Sequence, residues 1–171
     1  TVVTRCALPI VSRAPITAVQ CEVHFSDGVP GTSSVGLPEI AVKDARDRVR
    51  AAILNAQLDY PQRKVTVNLA PADLPKDGGR FDLPIALGIL AANGSVPREG
   101  LAACEFIGEL ALSGALRAVR GVLPAVLHAT RPGRRVCLPR AHGAAAPLRR
   151  GCHVLVQLSR RWGRRFLAVP S

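Results

Sequence analysis

The stretch Leu69-Ala70-Pro71-Ala72-Asp73-Leu74-Pro75-Lys76-Asp77-Gly78-Gly79-Arg80-Phe81-Asp82-Leu83-Pro84-Ile85-Ala86-Leu87 contains the change of pattern on which the fold turns. Leading into it, Lys64 to Ala70 alternates Val65, Val67 and Leu69 with Thr66 and Asn68, the period-two signature of a half-buried strand. At its far end, Leu83 to Ala92 is apolar nearly all round, so a helix there has no face to give to water and is expected to be buried. Gly78-Gly79 permits a turn closed to other residues. Pro84 sits where a first-turn proline is tolerated, and Asp82 is expected to cap the helix. A strand leading through a long connection into a buried helix is one step of an α/β fold.

Upstream, Thr1 to Leu8 and Thr17 to Phe25 read as strands, and Thr32 to Val35 as a short third. A helix is predicted over Glu39 to Gln57, where Ile40, Ala45, Val49, Ala52, Ile53 and Ala56 form one apolar face. Glu39 with Lys43, and Asp44 with Arg48, stand at the i,i+4 spacing of helical ion pairs. Downstream, Phe106 to Leu112 and Ala115 to Val119 read as a hairpin split by Ser113-Gly114. Leu123 to Thr130 reads as a helix, Arg135 to Pro139 and Val154 to Leu158 as strands, and Ala141 to Arg149 as a short helix. The predicted class is α/β (α+β), a mixed sheet with βαβ units and packed helices.

The 171 residues suit one domain, and 48% of them are hydrophobic, which excludes a disordered chain. No apolar run reaches the ~18–20 residues needed to span a bilayer. The first ten residues lack the pattern of a secretory signal, so a cytoplasmic location without membrane contact is expected. The five cysteines are widely spaced with no Cys-x-x-Cys pair. Cys137, His142, Cys152 and His153 match no common zinc spacing, and buried thiols with surface histidines are the favoured reading.

The net charge of +11 is unevenly placed. Residues 1–130 hold 13 Lys+Arg against 12 Asp+Glu, whereas 131–171 hold ten arginines and no acid. Two readings stay open: phosphate contacts with DNA through Arg131, Arg134, Arg135, Arg149 and Arg150, or a solvated basic end. A Gly-x-x-x-x-Gly-Lys-Ser/Thr loop, a Gly-x-Ser-x-Gly elbow and a His-Glu-x-x-His pair are all absent, so no cofactor is expected in this chain. Asp73, Asp77, Asp82 and Glu109 are assigned to caps and turns in preference to ion binding or acid/base work. Gly78, Gly79 and Arg80 are the best candidate for an anion or partner contact, with a structural turn as the favoured alternative.

Residues 28–39, 42–52, 67–76, 79–86 and 108–114 resemble the N-terminal domain of ComM-type, magnesium-chelatase-like AAA+ ATPases. More distantly they resemble the proteolytic domain of Lon, which implies a fold shared with ribosomal-protein-type βαβ domains. The resemblance implies a Lon-like domain over 1–158 and a basic tail over 159–171, SRRWGRRFLAVPS, unlike the amphipathic helix of the family. That tail is expected to be disordered or non-native, and the chain to be part of a longer protein. For the full-length protein it implies an AAA+ module in the same chain, ATP and Mg, a homo-oligomeric (hexameric) ring, and action on branched DNA in natural transformation. Lon-like peptidases use a serine and a lysine. Matching Pro75-Lys76-Asp77-Gly78 to the lead-in places Arg80 at the serine position, and counting from Gly108-Glu109 places Leu123 at the lysine position. Neither residue can do that chemistry. The expected function is therefore a non-catalytic accessory domain. The alternatives are a peptidase with a relocated dyad, such as Ser113 with Lys76, and a free-standing basic nucleic-acid binder.

Overall fold

The computed structural model describes residues 1–8, 17–36, 39–72, 76, 78–130, 134–142 and 152–155. For 7–8, 17, 39–42, 129–130 and 152–155 it describes the backbone alone. Strands β1 (Val2–Leu8), β2 (Thr17–Ser26), β3 (Gly31–Val35) and β4 (Lys64–Ala70) form one sheet in the order β1-β2-β4-β3. β1 and β2 are antiparallel, with Val2 opposite Val23, and so are β2 and β4, with Ser26 opposite Lys64. β3 runs parallel to β4 and is joined to it through helix α1 (Glu39–Asn55), a βαβ unit inside a mixed sheet. A second, parallel sheet follows the order β5-β8-β9, from Cys104–Phe106, Arg135–Pro139 and Cys152–Leu155. Strands β6 (Glu109–Leu110) and β7 (Leu116–Arg117) make a small hairpin, and helix α3 (Val122–Thr130) follows it.

Helix α2 (Asp82–Ala92) sits at the centre, and its composition explains why. Every residue from Asp82 to Ala91 is buried. Ile85, Ala86, Ile89 and Leu90 join the core that includes Val23, Val49, Ile53 and Leu69. Leu83, Leu87 and Ala91 turn the other way, toward Val2, Cys104, Phe106 and Cys137. A helix apolar all round thus unites two apolar clusters. Gly88 is required at the crossing with β2, since a Cβ there would lie 2.5 Å from Val23 Cγ2.

Helix α1 buries Ala45, Val49, Ala52 and Ile53 of the predicted face, with Ala56 packed against it, while the side chain of Ile40 lies outside the described residues. It ends in a Schellman arrangement: Leu58 N–H donates to Ile53 O at 3.1 Å and Gln57 N–H to Leu54 O at 3.0 Å. Gln57 takes φ 59°, the left-handed conformation usually left to glycine.

Three sequence expectations are corrected. Phe106 to Leu112 is not one hairpin strand: Phe106 belongs to β5, parallel to β8, and the hairpin begins at Glu109. Apolar continuity hid a change of sheet between them. Arg48 does not pair with Asp44 along α1; it turns inward to Asp82, whose buried carboxylate offers a less screened partner. Asp82 makes no side-chain cap and is the first residue of α2, not the residue before it. The expected helix over Ala141 to Arg149 lies mostly outside the described residues, as do the 159–171 tail and the end of the expected Val154 to Leu158 strand. Among the described residues no helix is long and apolar enough to cross a membrane.

Candidate functional site

The connection after β4 brings Gly78, Gly79 and Arg80 against Glu109 of β6 and residues 118–120, and these line a cleft of about 380 Å³. Gly79, Arg80 and Phe81 form a helical turn that runs directly into α2. Gly78 holds φ 77°, and no atom lies within 4 Å of where its Cβ would be, so its backbone is open to approach. Gly79 is buried beneath the Glu109 side chain: a Cβ there would lie 2.4 Å from Glu109 Cγ. The double glycine therefore has two separate causes, a left-handed turn and a close side-chain approach.

Arg80 is fixed from both ends. Its carbonyl accepts from Gly108 N–H at 3.3 Å and from the Cys6 thiol at 3.9 Å. Its Nη2 donates to Arg120 O at 3.0 Å, while Nη1 is buried and meets no hydrogen-bond partner. Arg80 thus bridges the glycine turn to the main chain just ahead of α3. Leu123, the second residue of that helix, is 45% exposed and lies three positions beyond Arg120. Glu109 Oε1 stands 3.5 Å from Arg117 Nη1 on the exposed side of the hairpin. The opposite wall is held by His142, whose Nε2 accepts from Val119 N–H at 2.9 Å. Accepting there places the proton of the neutral ring on Nδ1, and burial pushes its pKa below the usual value.

Below the cleft, Asp82 is 0% exposed and accepts from Arg48 Nε at 2.7 Å, Arg48 Nη2 at 3.1 Å and Leu110 N–H at 3.1 Å. Burial raises its carboxyl pKa to about 6 against the opposing pull of Arg48. This carboxylate joins α1, α2 and β6 and does not face the cleft as a reactive group.

The other candidates are scattered. Lys76 is buried and its Nζ donates to Pro71 O. Ser113 lies in the exposed β6–β7 turn, where its Oγ accepts from Ala115 N–H at 3.4 Å. Arg134 Nη1 bonds Glu105 Oε1 at 3.2 Å, and burial raises the pKa of that nearly inaccessible carboxyl. Arg135 is half-buried in β8. Asp73, Asp77, Arg131, Arg149 and Arg150 lie outside the described residues. So do the side chains of Cys152 and His153. Cys137 is buried in the second core, where its hydrogen bond draws the Cys104 thiol down to about 7. Among the described residues no three His, Cys, Asp or Glu gather as a metal site.

The residues present do not fit ATP. The three lysines follow Val42, Arg63 and Pro75, so none closes a glycine loop around a triphosphate, and the turn at Gly78-Gly79 leads to Arg80 and a buried carboxylate. The sequence missed Arg48, Arg117 and Arg120 as contributors to this region. Arg48 alone carried a signal, a charge on a helix flank next to the apolar stripe.

Fold and cleft together define a mixed α/β domain with an open cleft lined by two glycines, two arginines, one glutamate and the short apolar pair Ala118 and Val119. The family model for subunit ChlI of Mg-chelatase matches residues 21–142, and the chain belongs to that family. It is 53% identical over 136 residues to the competence protein ComM of Haemophilus influenzae, covering 80% of this chain and 26% of that protein. It is 50% identical over 153 residues to the uncharacterized protein YifB of Salmonella typhimurium, covering 88% of this chain and 29% of YifB. It is 53% identical over 133 residues to YifB of Escherichia coli, covering 78% of this chain and 26% of that protein. The chain therefore spans little more than a quarter of the length of these relatives.

Proposed function

We propose that this chain is the non-catalytic N-terminal accessory domain of a ComM-like, magnesium-chelatase-like AAA+ ATPase, serving assembly or DNA handling for a motor module elsewhere in the same polypeptide. On this reading the whole protein uses ATP and Mg, forms a hexameric ring in the cytoplasm and acts on branched DNA during natural transformation. The similarity to a protein named for competence supports the last step. The observation that carries the accessory role is the cleft itself. It presents Arg80, which has no attacking lone pair, and Leu123, in the first turn of the helix that follows Arg120, has no base to offer. A peptidase built from Ser113 and Lys76 has less support, because one group is exposed in a turn and the other is buried on Pro71 O.

The test compares the full-length protein with a form lacking residues 1–158. Both should hydrolyse ATP, and only the full-length form should assemble fully or respond to branched DNA. Equal assembly and equal response in the two forms would defeat the accessory role.

A further inference from the structure

The main sheet ends on β3, and this edge lacks the devices that keep sheet edges from pairing. At the other end of the sheet β1 lies against β5, whereas no strand follows β3 among the described residues. Gly31-Thr32-Ser33-Ser34-Val35 contains no charge and no proline. Its register with β4 runs without a bulge, from Gly31 opposite Lys64 to Val35 opposite Asn68.

The ladder decides which backbone groups the edge leaves free. Gly31 N–H donates to Arg63 O at 3.4 Å, so in this parallel pairing Gly31, Ser33 and Val35 turn their N–H and C=O toward β4. Thr32 and Ser34 turn theirs to the open side. Side chains alternate as well: Thr32 and Ser34 share the face of buried Val65 and Val67, while Gly31, Ser33 and Val35 are exposed on the other face. Thr32 Oγ1 and Tyr60 Oη share a hydrogen bond at 2.7 Å, but Ser34 Oγ is buried and meets no partner. Val35 is 55% exposed, and at Gly31 only Val29 O, at 4.0 Å, comes near where a Cβ would be.

These features match one another about a two-fold axis through Ser33. In an antiparallel pair, residues whose groups point outward face each other and exchange both bonds. Thr32 then faces Ser34 of a second copy, and Ser34 faces its Thr32, for four hydrogen bonds in all. The same register brings the unpartnered Ser34 Oγ beside a threonine hydroxyl, a favourable cross-strand pair. It also sets exposed Val35 beside the bare Gly31, and Ser33 against its own copy.

We propose that β3 is an interface at which two copies of this chain join edge to edge, antiparallel about Ser33, turning two four-stranded sheets into one of eight. A peptide of another sequence would find the same backbone groups. It would not bring the matches of Val35 with Gly31 and of Ser34 with Thr32, which β3 finds in itself. An isologous contact closes at two copies, so this one is separate from the ring contacts of the reading above.

Sedimentation velocity of the 171-residue chain over a concentration series should show monomers and dimers in equilibrium, without larger species. Ser34→Pro removes an N–H from the free edge and none from the β4 ladder, so it should weaken dimerisation at least about tenfold. Ser33→Lys and Ser33→Glu each set like charges against each other at the axis and should also dimerise poorly. A one-to-one mixture of these two should recover dimers, less so at high salt. Ser33 is exposed, so both variants should melt like the wild type. If Ser34→Pro lowers the melting point, the Ser33 pair decides alone. A wild type that stays monomeric or grows past the dimer would overturn the proposal, as would a folded Ser34→Pro that dimerises normally. So would a mixture that dimerises no better than its components, because recovery requires Ser33 to meet Ser33. The comparison with and without residues 1–158 does not depend on this contact, so the two readings fail separately.

Discussion

Arg48 and Asp82 are joined by two hydrogen bonds, 2.7 Å from Nε and 3.1 Å from Nη2, across the contact between α1 and α2. The same carboxylate accepts from Leu110 N–H at 3.1 Å, so one buried oxygen pair ties two helices to the hairpin that floors the cleft. The two partners differ in access to water: the Arg48 side chain is 25% exposed and that of Asp82 1%.

That asymmetry sets the first prediction. Arg48→Ala strands a carboxylate out of reach of water and should cost about 3 kcal/mol, the usual scale for breaking a buried pair. Adding Asp82→Asn should recover most of the loss, because the buried charge disappears while an acceptor for Leu110 N–H remains. Urea denaturation of both variants and the wild type checks this, and a double variant no more stable than Arg48→Ala would show that the charge is not what matters.

The raised Asp82 carboxyl gives a pH dependence with a definite sign. Its pKa is about 6 in the folded chain against 3.8 as a model value, so the folded state holds the proton more tightly. Stability from this group is fully present below pH 3.8 and is lost as pH rises through about 6, by about 3 kcal/mol in all. The stability of the wild type relative to Asp82→Asn should therefore fall across that window and stay level above it. A difference that rises with pH would mean that Arg48 outweighs burial.

Gln57 ends α1 at φ 59° within a Schellman arrangement. A side chain in that conformation costs about 1–2 kcal/mol, part of which glycine returns through its own loss of freedom. Gln57→Gly should accordingly stabilise the chain by about 0.5–1 kcal/mol. A lower thermal midpoint would mean that the contacts of the Gln57 side chain outweigh the strain.

Much of this architecture was legible because periodicity reports burial. The alternation of Val65, Val67 and Leu69, the stripe from Ala45 to Ile53 and the all-round apolar Leu83 helix each match an element. What stayed hidden depended on partners distant in sequence. Asp82 carries the local signature of a helix cap, yet its partner is 34 residues away on another helix. Phe106 and Glu109 sit three residues apart in two different sheets, and the chain between them, uniformly apolar or glycine, gives no sign of the break. The cleft followed the same rule: Gly78, Gly79 and Arg80 stood out as residues, while Arg120 and Val119 on its far wall carried no motif.

The acid-free end predicts weak, sequence-independent DNA binding. Ten arginines lie in 131–171, of which Arg134 is engaged by Glu105. Affinity for a labelled duplex should fall steeply between low and moderate salt, as counterion release requires. A fragment ending near Thr130 that binds as tightly at moderate salt would relieve the tail of the role.

The last prediction is that the chain cleaves no peptide bond, and that a serine alone does not restore cleavage. Arg80 stays protonated and has no lone pair to attack a carbonyl. Its Nη2 is already committed to Arg120 O. Replacing it by serine would place a hydroxyl at the cleft, but a hydroxyl needs a base within hydrogen-bond reach to attack. Leu123 supplies none, the neutral imidazole of His142 has its accepting nitrogen on Val119 N–H, and Asp82 is buried under Arg48 and Leu110. Arg80→Ser should thus be as inert toward an unfolded protein substrate as the wild type. Arg80→Ser with Leu123→Lys supplies both groups and is the variant in which any trace of hydrolysis belongs. Hydrolysis by the unmodified chain that disappears on Ser113→Ala or Lys76→Ala would reverse the conclusion, because it would place a working dyad where the structure shows an exposed turn and a buried lysine.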